Sequence, residues 1–343
     1  GNPDDKNIQI ANLVKGARHG PHSNHYGPQV GGGALAMLAI MGDPGTDNDL
    51  VKKMLQDSQD AVLRHFGDGF GDGGYYNEHA GPGQIGSDTA FIPGVQAWRV
   101  AGGKDFVNPR PHVPAITLIR IYEMFRFGNN TSYMLRHPSS YGSGNYPDDR
   151  NGLSRGGQFA QGFGTIREEH KPALLWVYNN IVEPDPKNRT FDTVSPYPHR
   201  AVLALVNWPI GIEENNPAEV LPKVHRDTLK GYYVFRNGWK PDGSDIATSI
   251  LLGARNDGIE EVMVWGHGMK VSFGKPGKWT TTHFEAKSDG SGVVSAAKGK
   301  TYFAVDYSGT SGAEAVVVIM GDGAQPGKGT RDAKGSDGYT AKF

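Results

Sequence analysis

Two short stretches carry side chains that could do chemistry together. His22-Ser23-Asn24-His25-Tyr26-Gly27-Pro28-Gln29 and Asp72-Gly73-Gly74-Tyr75-Tyr76-Asn77-Glu78-His79 each pack an imidazole, an amide and a phenol into a few residues. Each lies among glycines, ahead of an apolar, helix-like segment. Polar loops carried on helical scaffold are where functional groups collect. His25 is a candidate general base, because an imidazole changes charge near neutral pH. The neighbouring Asn24 amide could donate hydrogen bonds to a carboxylate or a developing enolate. Tyr75 or Tyr76 could serve as base and acid in one elimination, with His79 as the nearby cation or substrate clamp. Together these groups suit removal of a proton beside a carboxylate, followed by protonation of a leaving oxygen. Each also has a plainer explanation: a capping Asn, solvent-facing histidines and two half-buried tyrosines.

Further anion-binding groups are Arg155 with Gln158, and His199 with Arg200 and Tyr197. His267 stands between two glycines at a strand turn, where backbone and ring could approach a ligand. There is no His-Glu-x-x-His zinc motif, no Gly-x-Ser-x-Gly elbow and no phosphate loop. Gly31-Gly32-Gly33 follows no strand, so it does not read as a nucleotide site. A glycosidase would need two carboxylates on opposite sides of a sugar, and adjacent pairs such as Glu168-Glu169 do not supply them.

Composition narrows the classes. The 343 residues suffice for two domains. A net charge of −1 argues against a general nucleic-acid binder. The chain has no cysteine, which excludes disulfides and thiolate metal sites and fits an exported bacterial protein without fixing the compartment. No run approaches the roughly 18 apolar residues of a membrane span. The chain starts at Gly1, which reads as processing or trimming of any targeting peptide.

The elements fall into two blocks. Helical patterns are expected over Asn7 to Lys15, Ala34 to Met41 (opened by the three glycines and apolar all round, hence buried), Asp49 to Phe66, Ser87 to Ala101, Val113 to Phe127, Lys171 to Val182 and His199 to Trp208. Long polar loops, 67–86 and 129–157, separate some of them. After Pro217 the period changes to two. Strands are expected at Gly231 to Arg236, Ile246 to Ala254, Glu261 to Trp265, Met269 to Phe273, Thr280 to Ala286, Thr301 to Tyr307 and Ala315 to Met320. The tail after Gly321 reads as loose or as an edge. The fold class is therefore α+β in two domains, a helical 1–220 and an antiparallel β-sandwich-like 221–343.

With these residues in view, the order of parts resembles the heparinase II/III-like polysaccharide lyases and the related alginate-type lyases. The shared features are an Asn-His pair (Asn24-His25), a Tyr in a glycine-rich loop (Tyr75 or Tyr76), and a β domain entered through Gly231-Tyr232-Tyr233-Val234-Phe235-Arg236-Asn237-Gly238-Trp239. The resemblance implies an incomplete (α/α) toroid followed by the sandwich-like domain. It implies β-elimination on an acidic, uronic-acid-containing polysaccharide. Asn24 would neutralise the carboxylate, His25 would be base or second clamp, and Tyr76 or Tyr75 would protonate the glycosidic oxygen. His79, Arg155, His199 and His267 would contact substrate. A periplasmic or extracellular location is implied as well.

The chain also departs from that pattern. Gly268, Met269 and Lys270 stand where a further metal ligand is usual after His267, so no cofactor is expected with confidence. A structural zinc or calcium would have to draw on distant residues such as His283 and Asp306. The helices are fewer than a full toroid has, which points to a missing N-terminal part or to a shortened fold. A homo-oligomer is a further expectation. The alternative to a lyase is a non-catalytic glycan-binding or surface-structural protein on the same scaffold. A weaker alternative is a glycoside hydrolase using Glu78 and Asp192.

Overall fold

The computed structural model describes residues 9–77, 90–110, 112–127, 131–134, 159–186, 189, 191, 199–236, 238–243, 245–252, 259–266, 269–272, 281–286, 292–298, 301–307, 315–320 and 339–342. It is an α+β chain of two compact units that interleave along the sequence. The first gathers Gly1–Arg120, Pro138–Lys171 and Lys187–Ile212; the second gathers Ile121–His137, Pro172–Pro186 and Glu213–Phe343. No helix among the described residues is long and apolar enough to cross a membrane.

In the first unit a short helix α1 (Ile10–Leu13) precedes α2 (Tyr26–Ile40) and α3 (Asn48–Arg64). Helix α3 is amphipathic: Val51, Met54, Leu55, Ser58, Ala61 and Val62 are buried at three- and four-residue spacing. The Asp47 carboxylate caps it by accepting from the Leu50 N–H at 3.0 Å. Leu50 is 52% exposed, and its neighbour Val51 is buried instead. A widened π turn, His65–Gly69, closes the helix.

Helix α2 does not open at Ala34 as expected. It begins eight residues earlier by sequence number, at Tyr26, with Gly31, Gly32 and Gly33 inside it. Interior glycines weaken a helix by up to about 1 kcal/mol each, but here close packing requires Gly31 and crowds Gly33 against Val14. A Cβ on Gly31 would sit 2.5 Å from the Ala90 carbonyl oxygen and the Phe91 Cα. One on Gly94, in α4 (Ile92–Gly102), would sit 2.9 Å from the Gly31 oxygen. Helix α2 is also not buried all round, since Ile40 is 39% exposed and Ala36 and Ala39 lie on the surface. Helix α4 has Pro93 in its first turn and ends at Gly103, whose φ of 63° is left-handed.

Helix α5 (His112–Glu123) is followed directly by strand β1 (Met124–Phe127), which pairs antiparallel with β2 (Thr131–Met134). The expected continuous helix to Phe127 is thus cut at Glu123. The reason lies far away in sequence, within the second unit. The Trp239 indole donates to the Ile121 carbonyl at 2.8 Å, and Arg236 donates to the Tyr122 and Met124 carbonyls at 2.9 and 2.7 Å. The Ile121 and Tyr122 carbonyls are among those a helix end leaves unpaired. Helix α6 (Lys171–Val177) runs into a second π turn (Tyr178–Val182); α7 (His199–Val206) and α8 (Pro217–Val220) follow.

The rest is antiparallel. One five-stranded sheet has the order β3 (Val224–Asp227), β4 (Tyr232–Arg236), β5 (Ile246–Leu252), β6 (Ile259–Gly266), β7 (Met269–Ser272). The other runs β12 (Tyr339–Lys342), β11 (Ala315–Met320), β10 (Thr301–Tyr307), β9 (Gly292–Lys298), β8 (Thr281–Ala286). The strands read from alternation are present. Strands β3 and β9 were not legible: β3 is polar in sequence, and β9 is mostly small residues held by partners on both sides. The tail forms the edge strand β12. Strand β4 is buried at every position, and its Arg236 is among the largest fully buried side chains.

Candidate functional site

The loop before α2 is built from short turns. The Ser23 N–H donates to the Gly20 carbonyl and the Tyr26 N–H to the Ser23 carbonyl, both at 2.9 Å. Beginning the helix at Tyr26 makes His25 its N-cap residue, so Asn24 and His25 sit at the positive end of a 15-residue helix. Such an end favours negative charge nearby. His25 is exposed and Asn24 half-buried. The His25 ring stacks on His19, centroids 4.9 Å apart and planes at 25°. Burial first, then His25 and Arg18, hold His19 below the usual imidazole value.

The Tyr75-Tyr76 stretch is a tight hairpin. Phe70 and Tyr76 form an antiparallel bridge, the Gly71 N–H donates to the Tyr75 carbonyl at 2.9 Å, and the Asn77 N–H donates to the Gly69 carbonyl at 2.8 Å. At its tip Gly74 has φ +81°, and a Cβ there would lie 2.4 Å from the Ala115 carbonyl carbon in α5. Gly74→Ala combines a left-handed alanine, about 1–2 kcal/mol, with overpacking against helix backbone, about 1–3 kcal/mol. The expected loss is about 2–5 kcal/mol, read as a lower urea midpoint at unchanged slope. An unchanged midpoint would mean the hairpin is not seated on α5.

The hairpin delivers Tyr76 to the first loop: its hydroxyl donates to the His22 carbonyl at 3.2 Å. Tyr75 and Tyr76 are each only 3% exposed. Between hairpin and loop stands a residue that sequence reasoning passed over. His65, fully buried, places Nδ1 2.7 Å from the Pro21 carbonyl. A carbonyl can only accept, so Nδ1 carries a proton. Tyr26 stacks on it at 5.3 Å, and Phe70, Tyr76 and Phe91 meet it edge-on at 5.4, 5.9 and 4.4 Å. One signal was legible: His65 falls three residues after Val62, where the apolar stripe of α3 continues into the π turn.

Burial lowers His65 from 6.5 to about 4, with the Pro21 bond opposing. In the unfolded chain the ring takes its proton near 6.5; in the fold it resists until about 4. The unfolded state therefore binds more protons across that window, and stability falls as pH falls through it. The total is about 3 kcal/mol at 1.36 kcal/mol per unit. Urea unfolding of the wild type and His65→Phe at stepped pH should show this loss in the wild type only. Parallel curves would refute it.

Of the other expected contacts, His199 is the first residue of α7. His79, Arg155 and His267 lie outside the described residues, as do Glu78 and Asp192. His283 and Asp306 lie on β8 and β10. No group of three or more histidines or carboxylates that could hold a metal occurs among the described residues.

No family model matches the chain, and no curated protein matches it. Among solved structures it is distantly similar to heparinase III, with a TM-score of 0.45 and 11% identity over 92% of this chain and 50% of that one. The chain thus spans half the length of that protein.

Proposed function

We propose that the chain is a polysaccharide lyase acting on a uronic-acid-containing polymer by β-elimination. One observation carries the reading: the Tyr76 hydroxyl is hydrogen-bonded onto the loop that holds Asn24 and His25 at the start of α2. Asn24 and the helix end would take the uronate carboxylate, making the adjacent carbon acid more acidic. His25, exposed beside His19, would take the proton or clamp the substrate. Tyr76, with Tyr75 next in line, would protonate the glycosidic oxygen. His79, Arg155, His199 and His267 remain proposed substrate contacts. The same reading assigns 1–220 to an incomplete toroid and 221–343 to a sandwich-like domain. That division follows element type, whereas the compact units follow packing. It also places the protein in the periplasm or outside the cell.

A second reading is a glycan-binding protein without turnover. The burial of Tyr76, only 3% exposed, favours it. The deciding experiment is ultraviolet absorbance of the unsaturated uronate during incubation with alginate, heparan and chondroitin sulfates, hyaluronan, ulvan and polygalacturonate. A rise with one polymer establishes elimination and its substrate. A flat trace with calorimetric binding selects the second reading.

A further inference from the structure

We infer that His65 is a positioning residue for this site, holding the Pro21–His25 loop and the Tyr76 hairpin at one separation. The assignment to a catalytic site rests on the lyase reading; the clasp itself rests on geometry alone. The π turn His65–Gly69 grips both pieces. Through His65 Nδ1 it holds the Pro21 carbonyl at 2.7 Å. Through the Gly69 carbonyl it holds the Asn77 N–H at 2.8 Å, immediately after Tyr76. The grip leaves no spare room: a Cβ on Gly69 would stand 3.0 Å from the Pro21 oxygen and 3.1 Å from His65 Nδ1. Widened turns of this kind recur at functional sites.

Packing alone does not call for an imidazole here. Four aromatic rings surround it, and a phenylalanine would fill the same space. With Nδ1 as donor, Nε2 is a buried acceptor without a hydrogen-bond partner among the described residues. What the imidazole adds over phenylalanine is the bond to Pro21. That bond fixes the carbonyl one residue before His22, whose own carbonyl receives the Tyr76 hydroxyl. Loop, turn and hairpin thus close into one circuit through His65. The Pro21 carbonyl selects the Nδ1–H tautomer, and the depressed basicity of the buried ring leaves Nε2 unprotonated across the physiological range.

Nitrogen-15 NMR of the wild-type protein at neutral pH should show His65 as the Nδ1–H tautomer; an Nε2–H tautomer overturns the inference. His65→Phe keeps the ring packing and loses the donor. Amide hydrogen exchange at Ser23 and Tyr26 should then accelerate about tenfold or more, with 171–182 unchanged. Unchanged exchange at Ser23 and Tyr26 also overturns it. His65→Asn offers an amide donor where Nδ1 stood and should restore much of the protection. If His65→Phe does not fold, the tautomer decides alone. On a polymer that the wild type cleaves, His65→Phe should lower kcat by about 100-fold with KM nearly constant, and His65→Asn should recover part of it. Absence of wild-type turnover would retire the lyase reading while the tautomer and exchange results still judge the clasp.

Discussion

Replacing Arg236 by Met should cost the strand-rich unit about 3–5 kcal/mol, the range for removing one partner of a buried ion pair. Arg236 is wholly buried on β4 and pairs with Asp245, itself 1% exposed. Its guanidinium also donates to the Tyr122, Met124 and Gly238 carbonyls. It lies 4.1 and 4.8 Å from the Phe125 and Trp239 ring centroids. Methionine fills similar volume but removes the charge partner of Asp245 and the donor to three carbonyls. Burial pushes the Asp245 carboxyl up, and Arg236 holds it back. Without the arginine the carboxyl should protonate, so the variant should regain some stability as pH falls. Against a total of about 5–15 kcal/mol for a typical domain, the loss is large. Urea unfolding followed by Trp239 fluorescence measures it. Adding Asp245→Leu should recover only part, because the carbonyls stay unmet. Full recovery would mean that the ion pair, not the helix-end contact, dominates. Arg236→Lys should also fail, since an ammonium cannot span the same fork of acceptors.

Tyr76→Phe is the second large effect, and it separates the two functional readings. If the hydroxyl protonates the leaving oxygen, turnover should fall by about 10²–10⁴-fold. Stability should fall by only about 1 kcal/mol, from the lost bond to the His22 carbonyl. The phenol ring stays packed against Phe70 at 5.0 Å and His65 at 5.9 Å, so the fold should hold. Substrate binding measured by calorimetry should be nearly unchanged. Turnover within a few-fold of wild type would make Tyr76 structural and move the acid to Tyr75. Loss of binding together with turnover would place Tyr76 among the substrate contacts instead.

Short-range pattern by itself determined a good deal. The α3 stripe and most strand positions follow from side-chain period. The α+β class followed from them, as did the choice of Asn24, His25, Tyr75 and Tyr76 as chemically interesting. Tertiary structure decided the rest, because those outcomes depend on partners distant in sequence. Helix α2 keeps Gly31 because the chain entering α4, at Ala90 and Phe91, comes too close for a Cβ there. Helix α5 stops at Glu123 because Arg236 and Trp239, more than 110 residues later (112 to 118), claim the main-chain carbonyls around its end. Tyr76 meets the His22 loop across 54 residues, and His65 reaches Pro21 across 44. A histidine on an apolar stripe looks the same in sequence whether it merely fills space or holds a loop. Only the direction of its Nδ1–H bond, set by how the turn, loop and hairpin close on one another, tells the two apart.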